Sequence, residues 1–285
     1  ITKHLNDYTL YSFLKDDEYY YLTPDELAPV QYFLDHPNDS LSSIAKKYGT
    51  KGDTIKRRLA VVGETYERRM KRKFNRSIFH TLDTPEKAYW LGFMYADDCV
   101  HSTNYEISIN ITDLEHVEKF KNAIGAINHK ITTTKKAYGD MKNPKPLYQF
   151  SIKDKQLHND LIKWGCVPQK SLKLKKIPNI PRDYISHFIR GFFDGDGSIH
   201  YLKGTNNYRI SFTNGSSDFL NDIQKELSTN VSLGKEDNKN TYQLQIAGKH
   251  QVMRILNYLY KDSNETIRLN RKYNTYLECS KWALH

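Results

Sequence analysis

At 285 residues the chain is long enough for one large domain or two smaller ones, and a composition of 38% hydrophobic and 27% charged residues excludes a disordered or low-complexity protein. It has no apolar run of membrane-spanning length, no apolar stretch of signal-peptide type after Ile1-Thr2-Lys3, and three scattered cysteines (Cys99, Cys166, Cys279) that make neither a disulfide framework nor a zinc spacing. The expected setting is therefore intracellular, in the cytoplasm of a bacterium or phage-infected cell or in an organelle, with no membrane partner, and a formal net charge of +10 calls for a polyanion.

The charge is unevenly spread. Residues 1–36 hold 2 basic against 7 acidic side chains, whereas residues 37–80 hold 12 against 4. Thr23-Pro24-Asp25-Glu26 predicts a capped helix start, with Leu27, Val30, Phe33 and Leu34 on one face and an end before Pro37. Ser40 caps a second helix that turns Leu41, Ile44 and Ala45 inward and stops at Gly49. A third begins near Asp53, with Ile55, Leu59 and Val62 inward and Lys56, Arg57 and Arg58 largely outward. Leu41 to Leu59 thus has the cadence of a helix-turn-helix, and an ordinary helical hairpin is the other reading. In a helix-turn-helix the third helix would offer Lys51, Asp53, Thr54 and Arg57 to a DNA major groove. Residues 64–80 read as a basic linker, with Arg68, Arg69 and Arg72 laid along phosphates.

Residues 81–280 contain two copies of one unit. Trp90-Leu-Gly-Phe-Met-Tyr-Ala-Asp97 matches Ile189-Arg-Gly-Phe-Phe-Asp-Gly-Asp196 at an offset of 99. Tyr105–Ile109 matches Tyr208–Phe212 at 103, and Tyr148–Ile152 matches Tyr242–Ile246 at 94. Each copy reads as helix, two strands, helix, two strands, helix; the boundaries are 81–180 and 181–285. Alternation in Ile107, Ile109, Ile111 and in Tyr242, Leu244, Ile246 predicts sheets buried on one face and polar on the other. The polar faces carry Glu106, Ser108, Asn110, Gln149, Ser151 and Lys153 in copy one. Thr132, Thr134 and Lys136 extend that face. Copy two offers His200, Arg209, Ser211, Thr213, Gln243 and Gln245. Amide-rich side chains on an open sheet suit the reading of base edges in a major groove, although a plain wet sheet face has the same pattern.

The two matched helices carry the chemistry. Gly92 and Ala96 lie four apart, as do Gly191 and Gly195, a small-residue spacing that lets helix backbones approach closely. If those faces pack, Asp97 and Asp196 converge at the negative ends of two helix dipoles. Such a place calls for a hard divalent cation, Mg²⁺ first and Mn²⁺ second. Beside a basic, DNA-sized surface it implies hydrolysis of phosphodiester bonds. The run Asp194-Gly-Asp-Gly-Ser198 is not an EF-hand loop, which would need Gly and Glu where Ile199 and Thr205 stand.

Residues 81–280 resemble a monomeric, two-motif LAGLIDADG homing endonuclease, the match being strong at Ile189–Gly197 and degenerate at Trp90–Asp98. The resemblance implies an α+β fold: a pseudo-twofold pair of αββαββα units whose two antiparallel sheets bind duplex DNA, here with a small all-α helix-turn-helix domain over residues 1–63. It implies metal-dependent cleavage of double-stranded DNA at a long target site by a monomer. It assigns metal binding to Asp97 and Asp196, a contribution from the carbonyls of Ala96 and Gly195, and a catalytic or phosphate-contacting role to Lys153. Tyr95 stands where the motif has its first Asp, a usually structural place, and Asp98 replaces the final Gly. Ala247 occupies the position of Lys153 in copy two, so the half-sites are expected to be chemically unequal. A non-cleaving DNA-binding regulator on the same scaffold, or an intron RNA-splicing maturase, remains the alternative. An intein is not expected, because the chain has neither a leading Cys or Ser nor a terminal His-Asn.

Overall fold

Thr23 and Glu26 open the first helix reciprocally. Glu26 N–H donates to Thr23 Oγ1 (3.4 Å) and Thr23 N–H to the Glu26 carboxylate (3.1 Å), which satisfies two otherwise orphaned amides. The computed structural model describes residues 12–15, 18–36, 39–64, 74–96, 100, 104–134, 145–167, 174, 176–235 and 240–284, with backbone alone at 12–21. The chain divides into two units, Ile1–Lys73 and Phe74–His285.

In the smaller unit, α1 (Pro24–Asp35), α2 (Leu41–Lys47) and α3 (Gly52–Val61) follow the predicted spans closely. Val30, Phe33, Ile44, Ala45, Ile55 and Leu59 form its core. Ser40 Oγ accepts from Ser43 N–H (3.0 Å), and Gly49 takes the left-handed conformation (φ +61°) that lets the chain turn after α2. Arg58 differs from expectation: it turns back along the bundle and pairs with Glu26 of α1 at 2.9 Å. A hairpin of β1 (Ser12–Lys15) and β2 (Glu18–Tyr21) precedes the helices; its short, tyrosine-rich strands gave no alternation to predict it.

The larger unit begins earlier than the expected linker allows. Residues 74–80 pack into it: Ile78 and Phe79 are buried, Asn75 N–H donates to the Ile124 carbonyl (2.7 Å), and Arg76 pairs with Asp154 (2.5 Å). Their apolar side chains, interleaved with the basic ones, decide this.

The first repeat comprises α4 (Pro85–Ala96), β3 (Glu106–Ile111), α5 (Leu114–Ala123), β4 (Thr132–Thr134), β5 (Leu147–Lys153) and α6 (Lys155–Lys163). The second comprises α7 (Ile185–Asp196), β6 (Gly197–Leu202), β7 (Asn207–Asn214), α8 (Ser217–Glu226), β8 (Leu233–Lys235), β9 (Tyr242–Ala247) and α9 (Lys249–Tyr260). Both sheets are antiparallel, in the orders β3-β5-β4 and β6-β7-β9-β8. The bridge between Val100 and Ile107 occupies the place of the Ile199–Ile210 pair, so the two sheets share a register. Ile107, Ile109, Phe150, Ile210, Phe212, Leu244 and Ile246 are all fully buried, packed under α5, α8 and α9. A further helix, α10 (Asn270–Ala283), has no counterpart among the described residues of the first repeat and was not foreseen.

The chain after each repeat crosses to the other. Ser216 Oγ donates to the Leu174 carbonyl, and Ile177 N–H to Asp222 of α8 (2.8 Å). Reciprocally, Arg271 and Asn270 reach Asp113 (2.9 Å) and Glu115 (2.5 Å) at the start of α5.

Candidate active site and nucleic-acid interface

The glycines at the centre of the motif helices have no room for a side chain. A Cβ on Gly92 would lie 1.9 Å from the Phe188 carbonyl oxygen, and one on Gly191 would lie 1.9 Å from the Tyr89 carbonyl oxygen. α4 and α7 therefore touch backbone to backbone, reciprocally, as their spacing predicts. One turn further along, a Cβ on Gly195 would lie 2.2 Å from that of Ala96. The last turns of the two helices thus converge. Asp196 is exposed at the end of α7; Asp97, which directly follows Ala96, lies outside the described residues.

The first acidic residue of the second motif is not part of any open site. Asp194 is 1% exposed and accepts from Tyr89 Oη (2.8 Å), Tyr260 Oη (2.6 Å) and Leu269 N–H (2.8 Å). Burial pushes its carboxyl up from the ordinary range, while the nearby Lys272 ammonium and these donors pull it back. Burial and the Asp194 charge together hold the Tyr89 and Tyr260 hydroxyls well above their ordinary values, so both remain donors.

Tyr95 fills the corresponding place in α4. It donates to the Trp164 carbonyl at the end of α6 and packs edge-on against Phe188, with ring centroids 5.0 Å apart. The replacement is matched on the partner elements: Tyr89, itself 3.2 Å from His116 Nε2, donates to Asp194, whereas Phe188 and Phe219 pack against Tyr95. One side of the pseudo-twofold is polar and the other aromatic. Burial brings His116 down to about 3, with a smaller push from Lys119, so it stays neutral beside Tyr89.

Lys272 of α10, which sequence reasoning missed, closes the end of α7. Its Nζ donates to the carbonyls of Phe193 (2.5 Å), Asp194 (2.9 Å) and Gly197 (2.5 Å), joining the Gly197 N–H that also bonds the Phe193 carbonyl at the helix end. Burial lowers its ammonium to about 8. The missed signal was the isolated amphipathic run after Leu269. Arg190 was also passed over; it is 1% exposed and spans the Ile267 and Leu259 carbonyls, each at 2.8 Å.

On the two sheets the expected residues fall into cross-strand rows. In the first, Glu106 stands opposite Lys153, Ser108 opposite Ser151, and Asn110 opposite Gln149, which also faces Thr132. Lys153 is 64% exposed and lies 3.4 Å from the Glu106 carboxylate. Thr132 and Thr134 are exposed; Asn110, Gln149 and Ser151 are half-buried. Ser108 departs from expectation. At 1% exposure it is not open to a base, and its Oγ accepts from Asn110 Nδ2 (3.4 Å).

In the second sheet His200 faces Arg209, which faces Ala247; Ser211 lies between Ser198 and Gln245; Thr213 faces Gln243. Arg209 Nη1 donates to Gln245 Oε1 (3.2 Å), and Gln245 Nε2 to Gln243 Oε1 (2.5 Å). In the smaller unit Lys51 and Arg57 are exposed, Thr54 is half-buried, and Asp53 pairs with Lys56 (2.8 Å). Arg68, Arg69, Arg72 and Lys136 fall outside the described residues.

Among the described residues no group of three or more His, Cys, Asp or Glu side chains is placed to hold a metal, and no helix is long and apolar enough to cross a membrane. The donor set at the helix ends is nonetheless of the kind that suits a hard divalent cation: an exposed Asp196 carboxylate and the carbonyl of Gly195, which is not among those Lys272 takes.

In comparison with known proteins, the family match falls on the second repeat. Residues 183–260 match the family model described as a LAGLIDADG-like domain. A DNA polymerase of Thermococcus hydrothermalis is 29% identical over 100 residues, and one of Thermococcus sp. (strain GE8) is 28% identical over 102. Each match covers 30% of this chain, which spans only 6% of the length of those curated relatives. Among solved structures, I-SmaMI bound to an uncleaved DNA target with calcium ions is 14% identical, covering 70% of this chain and 90% of that one at a TM-score of 0.45. The LAGLIDADG meganuclease I-AabMI bound to uncleaved DNA is 15% identical, covering 70% and 90% at 0.46. The segment matched by the LAGLIDADG-like family model, residues 183–260, runs from just before α7 to the end of α9, one complete αββαββα repeat, and it is to this domain that the repeat is similar.

Proposed function

We propose that this protein is a site-specific, divalent-metal-dependent double-stranded DNA endonuclease of the homing type, acting as a monomer inside a cell. The observation that carries the reading is the backbone contact of α4 and α7 at Gly92 and Gly191, which draws the ends of the two motif helices together. Asp97 and Asp196, with the carbonyls of Ala96 and Gly195, would hold the cation, Mg²⁺ or in its place Mn²⁺. When bound, such a cation supplies an activated water and charge stabilisation at the scissile phosphate. The chain's own residues do the rest. The polar rows of the two sheets hold and read the duplex, and Lys153 contacts a phosphate from the end of β5. The presence of both motif helices in one chain supports a monomer.

The test is incubation of a randomised duplex DNA library with the protein and Mg²⁺, with Ca²⁺ as control, and sequencing of new ends. Mg²⁺-dependent ends clustered on one long motif are expected. DNA retained without new ends would instead favour the non-cleaving regulator, for which Ala247 in the place of Lys153 is the motivating observation.

The smaller unit adds affinity on this reading. Deleting residues 1–73 removes Lys51, Arg57, Arg68, Arg69 and Arg72 and spares the packed residues from Phe74 onward. With all five on phosphates, the slope of log K against log salt should fall by about 4.5, at roughly 0.9 per contact. An unchanged slope in a salt titration of binding would show that this unit does not touch DNA.

A further inference from the structure

The second sheet carries a directed chain of hydrogen bonds on its exposed polar face. Arg209 on β7 donates to the carbonyl end of Gln245 on β9 (3.2 Å), and the amide end of Gln245 donates to the carbonyl of Gln243 two residues back (2.5 Å). Arg209 lies one row from Gln245, which itself faces Ser211. A free glutamine amide turns over readily, exchanging its donor and acceptor ends. Here the guanidinium, which can only donate, fixes Gln245, and Gln245 in turn fixes Gln243.

The orientation bears on what these side chains can recognise. Adenine offers an acceptor and a donor side by side in the major groove, and a glutamine reads it only with its amide the right way round. Gln245 keeps a second lone pair and a second N–H after both ladder bonds are made, enough for that pairing. Arg209 keeps further N–H groups for the two acceptors of guanine. Same-face residues along a strand step by about 6.8 Å, the rise of about two base pairs. The three side chains therefore span about four base pairs.

The corresponding positions of the first sheet are Glu106, Ser151 and Gln149. There Glu106 pairs with Lys153 (3.4 Å), and a serine is too short to link rows. Among the described residues the arginine–glutamine–glutamine ladder is found in the second repeat.

We propose that Arg209, Gln245 and Gln243 form a single coupled reader of a purine-rich half-site, in which Arg209 sets the orientation of both glutamines. The proposal rests on the DNA-binding reading of the sheets and names the base class that this sheet selects. Its signature is one-way coupling. Loss of Arg209 should broaden the preference at the two glutamine base pairs as well as at its own. Loss of Gln245 should broaden the Gln243 base pair and spare the guanine read by Arg209. Loss of Gln243 should affect its own base pair only.

The experiment retains the full-length protein on a randomised duplex library in Ca²⁺ and sequences the bound DNA, for wild type, Arg209→Ala, Gln245→Ala and Gln243→Ala. All three side chains lie at the surface, so the variants are expected to fold, and thermal unfolding checks this. Discrimination at each uncoupled base pair should drop by about tenfold, within the worth of one bidentate contact. Three variants each broadening a single base pair would overturn the coupling while leaving DNA reading intact. A folded wild type with no enriched motif would instead bring down the DNA-binding reading, and this proposal with it.

Discussion

Asp196→Asn is expected to abolish strand cleavage while leaving DNA binding and fold intact. The change keeps the shape of the side chain and removes the charge that would hold the divalent cation. A metal ion contributes several kcal/mol of transition-state stabilisation, so single-turnover cleavage in Mg²⁺ should fall by at least about 10³-fold. Asp196 is exposed at the end of α7, so its loss should leave the thermal midpoint unchanged. Two residues earlier the opposite holds: Asp194 is fully enclosed and takes three donors, so its replacement would appear in stability first. The pair of readouts separates a metal-binding carboxylate from a structural one. An Asp196→Asn protein that cuts at the wild-type rate would end the proposal of a metal held between the helix ends.

The second large effect belongs to Gly191→Ala. In an ordinary helix this substitution would stabilise, by up to about 1 kcal/mol. Here the added Cβ would sit 1.9 Å from the Tyr89 carbonyl oxygen and 2.8 Å from the Phe93 amide nitrogen, both backbone atoms that no rotamer change can move. The helices must separate. Overpacking of this kind typically costs about 1–3 kcal/mol, and the backbone contact puts this case at the upper end. For a unit of this size that is a fall of roughly 6–12 °C in the thermal midpoint. Separation also moves the last turns of α4 and α7 apart, and a misplacement of about 1 Å at a catalytic centre there is enough for a 10²-fold loss of rate. Gly204→Ala is the control, because a Cβ there meets nothing within 4 Å. Calorimetry of the two variants decides it: equal midpoints would mean that α4 and α7 are not in backbone contact.

Much of this architecture is legible in the chain because it is written in local or repeated signals. Thr23 and Ser40 mark helix starts through hydrogen bonds made within four residues, and Gly49 marks a left-handed turn. The offsets of 99, 103 and 94 place the motif helices and sheet rows in correspondence, and the paired small residues of α4 and α7 foretell their close approach. Side-chain alternation identifies Ile107, Ile109, Leu244 and Ile246 as core, since a strand turns successive residues to opposite faces.

What the tertiary structure alone decided concerns side chains whose partners lie far away in sequence. Asp194 and Asp196 are the same residue type two positions apart, yet one is walled in by Tyr89, Tyr260 and Leu269 and the other is exposed. Arg58 looked like a solvated base until Glu26, 32 residues away, took it up. Ser108 carries the alternation of a polar face but is buried, and Lys272 closes the end of α7 from a helix outside the repeat. Periodicity records which side of an element faces the core. It carries no information about which charged group arrives from another element to satisfy a buried carboxylate or a helix end, and in this protein those arrivals separate the enclosed Asp194 from the exposed Asp196.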